Sequence, residues 1–160
     1  MSGDITTQRN IASLGDLKRL ADHATSTAAG TGDATSVTGL TIDRQGFGNG
    51  SMPASALVGV HYETTLASGA TLSIGYAVQD SADNSTWADY QTATYALAAT
   101  GPSGGGAVKG SFNVAVNLGS ARRYVRLNYN PDLSATGTDT SYSDAVGFFA
   151  GFDRLAAPNT

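Results

Sequence analysis

Along most of this chain apolar and polar residues alternate with a period of two, the pattern of strands with one buried and one wet face. The clearest instance runs from Ala70 to Tyr90. Leu72, Ile74, Tyr76 and Val78 fall on one side, and Thr71, Ser73, Gly75, Ala77 and Gln79 on the other. The next six residues, Asp80-Ser81-Ala82-Asp83-Asn84-Ser85, have short polar side chains that bond back to nearby backbone, so they predict a turn. Trp87 then returns to the apolar side. The stretch predicts a β-hairpin with Trp87 as its core anchor. A lone hairpin is not stable in water, so it requires further strands and a second layer.

The rest of the chain supplies them. Leu40 and Ile42 alternate with Thr41 and Asp43, and Val58, Val60, Tyr62 and Leu66 share a face opposite Leu57, Gly59, His61 and Glu63. Residues 95–99 fit a short strand. Phe112, Val114, Val116 and Leu118 form one side of a further strand, with Val125, Leu127 and Tyr129 on its hairpin partner beyond the Gly119-Ser120 turn. Val146, Phe148, Ala150 and Phe152 mark a last strand. About seven strands at short spacing, with polar loops and no helix–strand alternation, predict two antiparallel sheets packed face to face in a sandwich or jelly roll.

Residues 1–36 have a different texture. Ser13-Leu14-Gly15-Asp16 has the form of a capping box ahead of Leu14, Leu17, Leu20, Ala21 and Ala24 at helical spacing. This predicts a short amphipathic helix. Residues 25–36 are small and polar and read as a connector. The expected organisation is an N-terminal helical arm and linker over 1–36 and an all-β sandwich over 37–160. The apolar stripe Leu14, Leu17 and Leu20 is then the candidate partner-binding surface, alongside the plainer reading of a packed terminal helix.

Composition narrows the functional classes. Twelve Asp against a single Glu, with twenty glycines, favour turns over helices. No cysteine is present, which excludes disulfides, thiolate metal sites and cysteine nucleophiles. The net charge of -4, with two lysines and seven arginines, leaves no basic stripe, so direct nucleic-acid binding is not expected. No apolar run long enough to span a bilayer and no secretory signal occur, and a soluble protein is expected.

The residues that carry chemistry are sparse. His23 and His61 are the two histidines. His61 and Glu63 share a strand face about 7 Å apart, which is ordinary spacing for side chains two apart on a strand. The glycine-rich stretch 100–110 places Lys109 after Val108 and before Gly110, which breaks the phosphate-binding pattern and predicts a long loop. Asp80, Asp83, Asn84 and Asp89 gather near the hairpin tip without the spacing of a calcium loop. A sugar-binding platform needs exposed aromatic faces, and Trp87 is expected in the core. No catalytic residue, metal or cofactor is expected.

The strand–turn–Trp stretch from Gly69 to Trp87 resembles the hairpin recurrent in small capsid decoration, or cement, proteins of tailed bacteriophages. Arg122-Arg123-Tyr124-Val125-Arg126-Leu127-Asn128-Tyr129, the following polar loop and the Val146–Phe152 strand are similar to the late part of the same proteins. The resemblance covers about residues 37–152. It implies a non-enzymatic virion protein, often a homotrimer, that binds the major capsid protein on the outer surface of the head. It also implies an N-terminal arm that reaches a neighbouring subunit. The alternative class is a carbohydrate- or receptor-binding module of a phage tail or fibre.

Overall fold

The computed structural model describes residues 15–47, 52–135 and 137–151. Among these residues lie nine strands: β1 (Gly15–Thr27), β2 (Val37–Thr38), β3 (Ile42–Asp43), β4 (Ser55–Leu66), β5 (Thr71–Ser81), β6 (Ala88–Thr100), β7 (Gly106–Asn117), β8 (Tyr124–Leu133) and β9 (Thr140–Ala150). A 3-10 turn spans Arg44–Gly46. One sheet has the order β1-β9-β4-β7; the other runs β2-β8-β5-β6, with β3 also paired to β8.

The pairing is nested, first strand with last. Gly15 faces Ala150, Val37 faces Tyr129, Ile42 faces Val125, Ser55 faces Asn117 and Thr71 faces Thr100. The chain is therefore one long antiparallel ribbon, closed at its far end by the β5–β6 hairpin. The ribbon is rolled so that β4 also meets β9, and β5 also meets β8. With β2 and β3 read as two halves of one interrupted strand, this is the jelly-roll arrangement, in which strands belonging to one ribbon alternate between two packed sheets. The antiparallel sandwich expected from period-two alternation is present.

Inward-facing residues of both sheets form one core: Val58, Val60 and Phe149 from the four-stranded sheet pack with Leu72, Ile74, Val78, Val125, Leu127 and Tyr129 from the other. The predicted faces of β4 and β5 match this burial, with His61 and Glu63 turned outward. The glycine-rich stretch is shorter as a loop than expected. Strand β7 begins at Gly106, and left-handed φ angles at Gly104, Gly105 and Gly106 make the tight reversal that a side chain would strain.

The N-terminal helix is not formed. Residues 15–27 are a strand bonded along β9, with register irregularities between Arg19 and Ala21 and between Ala21 and Ala24. Leu17 points out of the sandwich, 64% exposed, whereas Leu20 is 2% exposed and packs in the core. Its side chain lies against Gly147, where a Cβ would come within 2.7 Å of Leu20 Cδ1. The spacing of three between the two leucines thus places them on opposite faces of a strand, and the adjacent irregularity lets Ala21 be buried directly after Leu20. Leu14, the third residue of the expected stripe, lies outside the described residues. Residues 15–27, expected as part of an arm, are thus a strand of the sandwich sheet.

Trp87 also differs from expectation. It is half-buried at the surface end of the hairpin, with the Arg126 guanidinium 4.2 Å from its ring centroid. The turn before it is held by Asp83, which accepts from the backbone amides of Ser85 (2.9 Å) and Thr86 (2.8 Å) and from the Ser81 hydroxyl (2.9 Å). Asn84 takes the left-handed conformation, φ 59°, which this turn requires and asparagine tolerates. With Asp83 closing the turn this way, polar self-bonding fixes the hairpin and leaves Trp87 outside the core.

These bonds set an acid limit. Hydrogen bonds from Thr86 and Ser85 hold the Asp83 carboxyl far below the usual range, and the Arg123 side chain does the same more gently for Asp43. Both pKa values are depressed in the folded state, so their stabilisation is complete above the ordinary carboxylate range near pH 4 and is lost as pH falls through the folded values. The melting temperature is expected to fall below about pH 4, and Asp83→Asn should flatten part of that decline. An unchanged acid profile in the variant would contradict the assignment.

One buried cation ties three chain segments together. Arg44 is 3% exposed. Its Nη2 donates to the carbonyls of Pro53 (2.7 Å) and Leu118 (2.7 Å), and its Nη1 to those of Arg122 (3.0 Å) and Ala121. The planar fork lets one side chain serve four carbonyls at the approach to β4 and the β7–β8 turn. Burial holds its pKa below the ordinary arginine value, against the opposing pull of Tyr90 and Asp80.

Candidate interaction surface

The outer face of the four-stranded sheet carries the most organised set of outward side chains. In register across β1, β9, β4 and β7 lie Leu17, Phe148, Leu57 and Ala115. Leu17 and Leu57 are 64% and 51% exposed. The tip of the Phe148 ring fills the space beside Gly15 on the neighbouring strand, where a Cβ would overlap it. Leu57, Phe148 and Ala115, together with Ala150, Ser55 and Asn117, border a shallow groove of about 490 Å³. The row exists because the second half of β9 is apolar on both faces: Ala145, Gly147 and Phe149 face the core, and Val146, Phe148 and Ala150 face out. An apolar row on an otherwise polar sheet face is the kind of surface that burial against a partner stabilises.

Farther along the same face the chemistry becomes polar. His61 pairs in register with Ser111 on one side and Asp144 on the other, a Ser–His–Asp order across β7, β4 and β9. His61 Nδ1 lies 3.3 Å from Asp144 Oδ1. Nucleophilic catalysis further needs the imidazole bonded to the serine and a cleft with oxyanion donors. Here the Asn113 amide donates to Ser111 Oγ (3.2 Å), and His61 Nε2 leans over Gly59, 3.7 Å from where its Cβ would stand. The row has the order of a triad without its central bond. The next row pairs Glu63 with Lys109 at 2.9 Å, and the His23 and Tyr142 rings stack at 5.3 Å. These contacts neutralise the polar end of the face locally.

Of the residues expected to meet a partner, Leu17 lies in the apolar row, Leu20 is in the core, and Leu14 lies outside the described residues. Sequence reasoning did not single out Leu57 or Phe148. The signal was present for Leu57, an apolar residue on the polar side of its strand, beside His61 and Glu63. At the hairpin tip, Asp80 is buried and accepts from the Arg122 amide (2.8 Å), while Asp89 accepts from Gln79 (2.7 Å). The tip acids are thus separated into different bonds rather than gathered. Among the described residues no cluster of three or more His, Cys, Asp or Glu side chains is placed to hold a metal ion.

No protein-family model matches the sequence. No curated protein matches it either. Among solved structures, the chain is similar to that of the infectious bursal disease virus Gx strain, with a TM-score of 0.46 and 13% identity over 85% of this chain and 32% of that one. It is also similar to the T=1 particles derived from that virus, with a TM-score of 0.42 and 14% identity over 85% and 31% of the two chains. For the VP2 subviral particle the values are 0.40 and 12%, over 90% and 34%. The chain spans about a third of the length of these viral chains.

Proposed function

We propose that the protein is a non-enzymatic structural component of a tailed-phage virion, a decoration protein that sits on the outer surface of the head and binds the major capsid protein through the outer face of its four-stranded sheet. The observation that carries this reading is the apolar row Leu17–Phe148–Leu57–Ala115, presented by four hydrogen-bonded strands. The resemblance of the Gly69–Trp87 hairpin and the Arg122–Tyr129 strand to cement proteins supports it from the sequence side. The homotrimer is taken from that resemblance alone. A rigid sheet presents its side chains without the ordering penalty of a loop. Burying Leu17, Leu57 and Phe148 is worth about 1.5 to 3 kcal/mol each before association costs. Multivalent attachment of a trimer to a repeating shell would strengthen that further.

Leu57→Lys tests the surface. The variant should fold normally, because the side chain points away from the core, while its retention on purified capsids should drop by at least roughly tenfold, the equivalent of about 1.4 kcal/mol. A co-sedimentation assay against the unmodified chain reads the difference. Retention equal to wild type would remove this face from the interaction.

A further inference from the structure

The other sheet presents a different surface to solvent, on the opposite side of the sandwich. Between Ile74, which faces Ala96, and Tyr76, which faces Ala93, strand β6 carries two residues, Thr94 and Tyr95, against the single Gly75 of β5. This bulge re-aims Tyr95. Its ring lies across Gly75, where a Cβ would stand 3.4 Å from both Cδ1 and Cε1, and the residue remains 45% exposed. The ring borders an open groove of about 360 Å³ whose floor is Gly75, Ala77 and Ala93 and whose polar margin includes Asn130 and Asp89.

One wall of this groove is held rigid. Gln79 Oε1 accepts from Arg126 Nε (2.9 Å) and Asn128 Nδ2 (2.9 Å), its Nε2 donates to Asp89 Oδ1 (2.7 Å), and Asn128 Oδ1 accepts from the Gly39 amide (3.2 Å). Arg126 is further held over the Trp87 ring. In contrast, the Asn130 and Thr94 side chains at the groove make no hydrogen bond among the described residues. A fixed wall, a floor without bulk, an aromatic ring exposed on one side and free amide and hydroxyl groups make a preorganised polar site.

We infer that this groove binds a neutral saccharide, with a pyranose ring stacked on Tyr95 and its hydroxyls bonded to the Asn130 amide and the Asp89 carboxylate. The chemistry of the lining selects this class. Sugar rings have an apolar C–H face suited to an aromatic ring and hydroxyls that both donate and accept, matching amide and carboxylate partners. Asp89 at the margin and Asp132, also on the outer side of β8, disfavour phosphate or sulfate, and the nearby Arg126 is already engaged by Gln79 and Trp87. The floor of glycine and alanine offers too little apolar area for a lipid chain. The inference stands independently of the capsid-docking reading, which concerns the opposite face.

Titration of the full chain with neutral oligosaccharides of gluco, galacto, manno and N-acetylglucosamine configuration, followed by ligand-observed NMR and calorimetry, tests it. At least one should bind. Tyr95→Ala and Asn130→Ala should each weaken that binding by ~10-fold, the scale of losing one stacking or hydrogen-bonding partner, with melting temperatures close to wild type. Leu57→Lys should bind the sugar unchanged, which separates this site from the docking face. Absence of binding to every neutral sugar, or binding that both groove variants leave intact, would overturn the inference. Preferential binding of sulfated or phosphorylated glycans would overturn the assignment to neutral saccharides.

Discussion

A chain that begins at Ser36 should not fold. Removing the preceding residues deletes β1, which lies along β9 and contributes Leu20, Ala21 and Ser26 to the interior. The loss strips Leu20 from Gly147 and exposes the backbone edge of β9, a strand whose second half is apolar on both faces. An unpaired apolar edge of that kind is a template for aggregation. Leu20 alone, as a fully buried leucine, accounts for about 2 to 5 kcal/mol when truncated to alanine, which is comparable with much of the stability of a small domain. The expected observations are loss of cooperative thermal unfolding and recovery mainly in the insoluble fraction. A detachable arm would give the opposite result, a truncated protein with nearly unchanged melting temperature, and that outcome would contradict the strand assignment for residues 15–27.

Arg44 is expected to give the largest effect of any single charged residue. Replacing it by methionine keeps much of the stem volume but removes the donors that serve the carbonyls of Pro53, Leu118, Ala121 and Arg122. Each buried carbonyl left without a donor costs about 1 to 3 kcal/mol. Water entering the gap restores some of these bonds, so the net loss should be roughly 3 to 5 kcal/mol. Arg44→Lys should recover part of it, because an ammonium keeps the charge but cannot fork to four acceptors. Urea unfolding of the three proteins gives the ranking wild type, lysine, methionine. Equal midpoints for wild type and Arg44→Met would mean that the guanidinium does not hold these segments together.

The parts of the fold that could be read from the chain are those in which one strand carries its own evidence. The alternations of β4, β5 and β8 give the correct buried faces, because each strand has one face in the core and one in water. Strand β1 misleads for a local reason: its irregular register puts Leu20 and Ala21 inside in succession, and the resulting spacing of Leu17, Leu20, Ala21 and Ala24 mimics a helix. Trp87 misleads because hydrophobicity alone predicts burial, whereas a guanidinium covers its ring at the surface.

Other features depend on distant pairings. Neither Leu17 beside Phe148 nor His61 beside both Ser111 and Asp144 is visible until β9 lies between β1 and β4. The same holds for Arg44, whose acceptors lie on the approach to β4 and in the β7–β8 turn, and for Tyr95, aimed by a bulge that needs β5 as its reference. The apolar excess of β9 and the lone leucine on the polar face of β4 were legible as composition, but their joining into one row is a property of the roll.

The proposed role on the outer surface of a phage head requires the protein to be present wherever the shell repeats. Quantitative mass spectrometry of purified particles of a tailed phage that carries this sequence, with copy number expressed relative to the major capsid protein, tests that role. The expected stoichiometry is on the scale of the shell protein itself, and it should be lost selectively when the phage carries Leu57→Lys. A copy number matching the few positions of a tail or fibre, or absence from the particle, would contradict it.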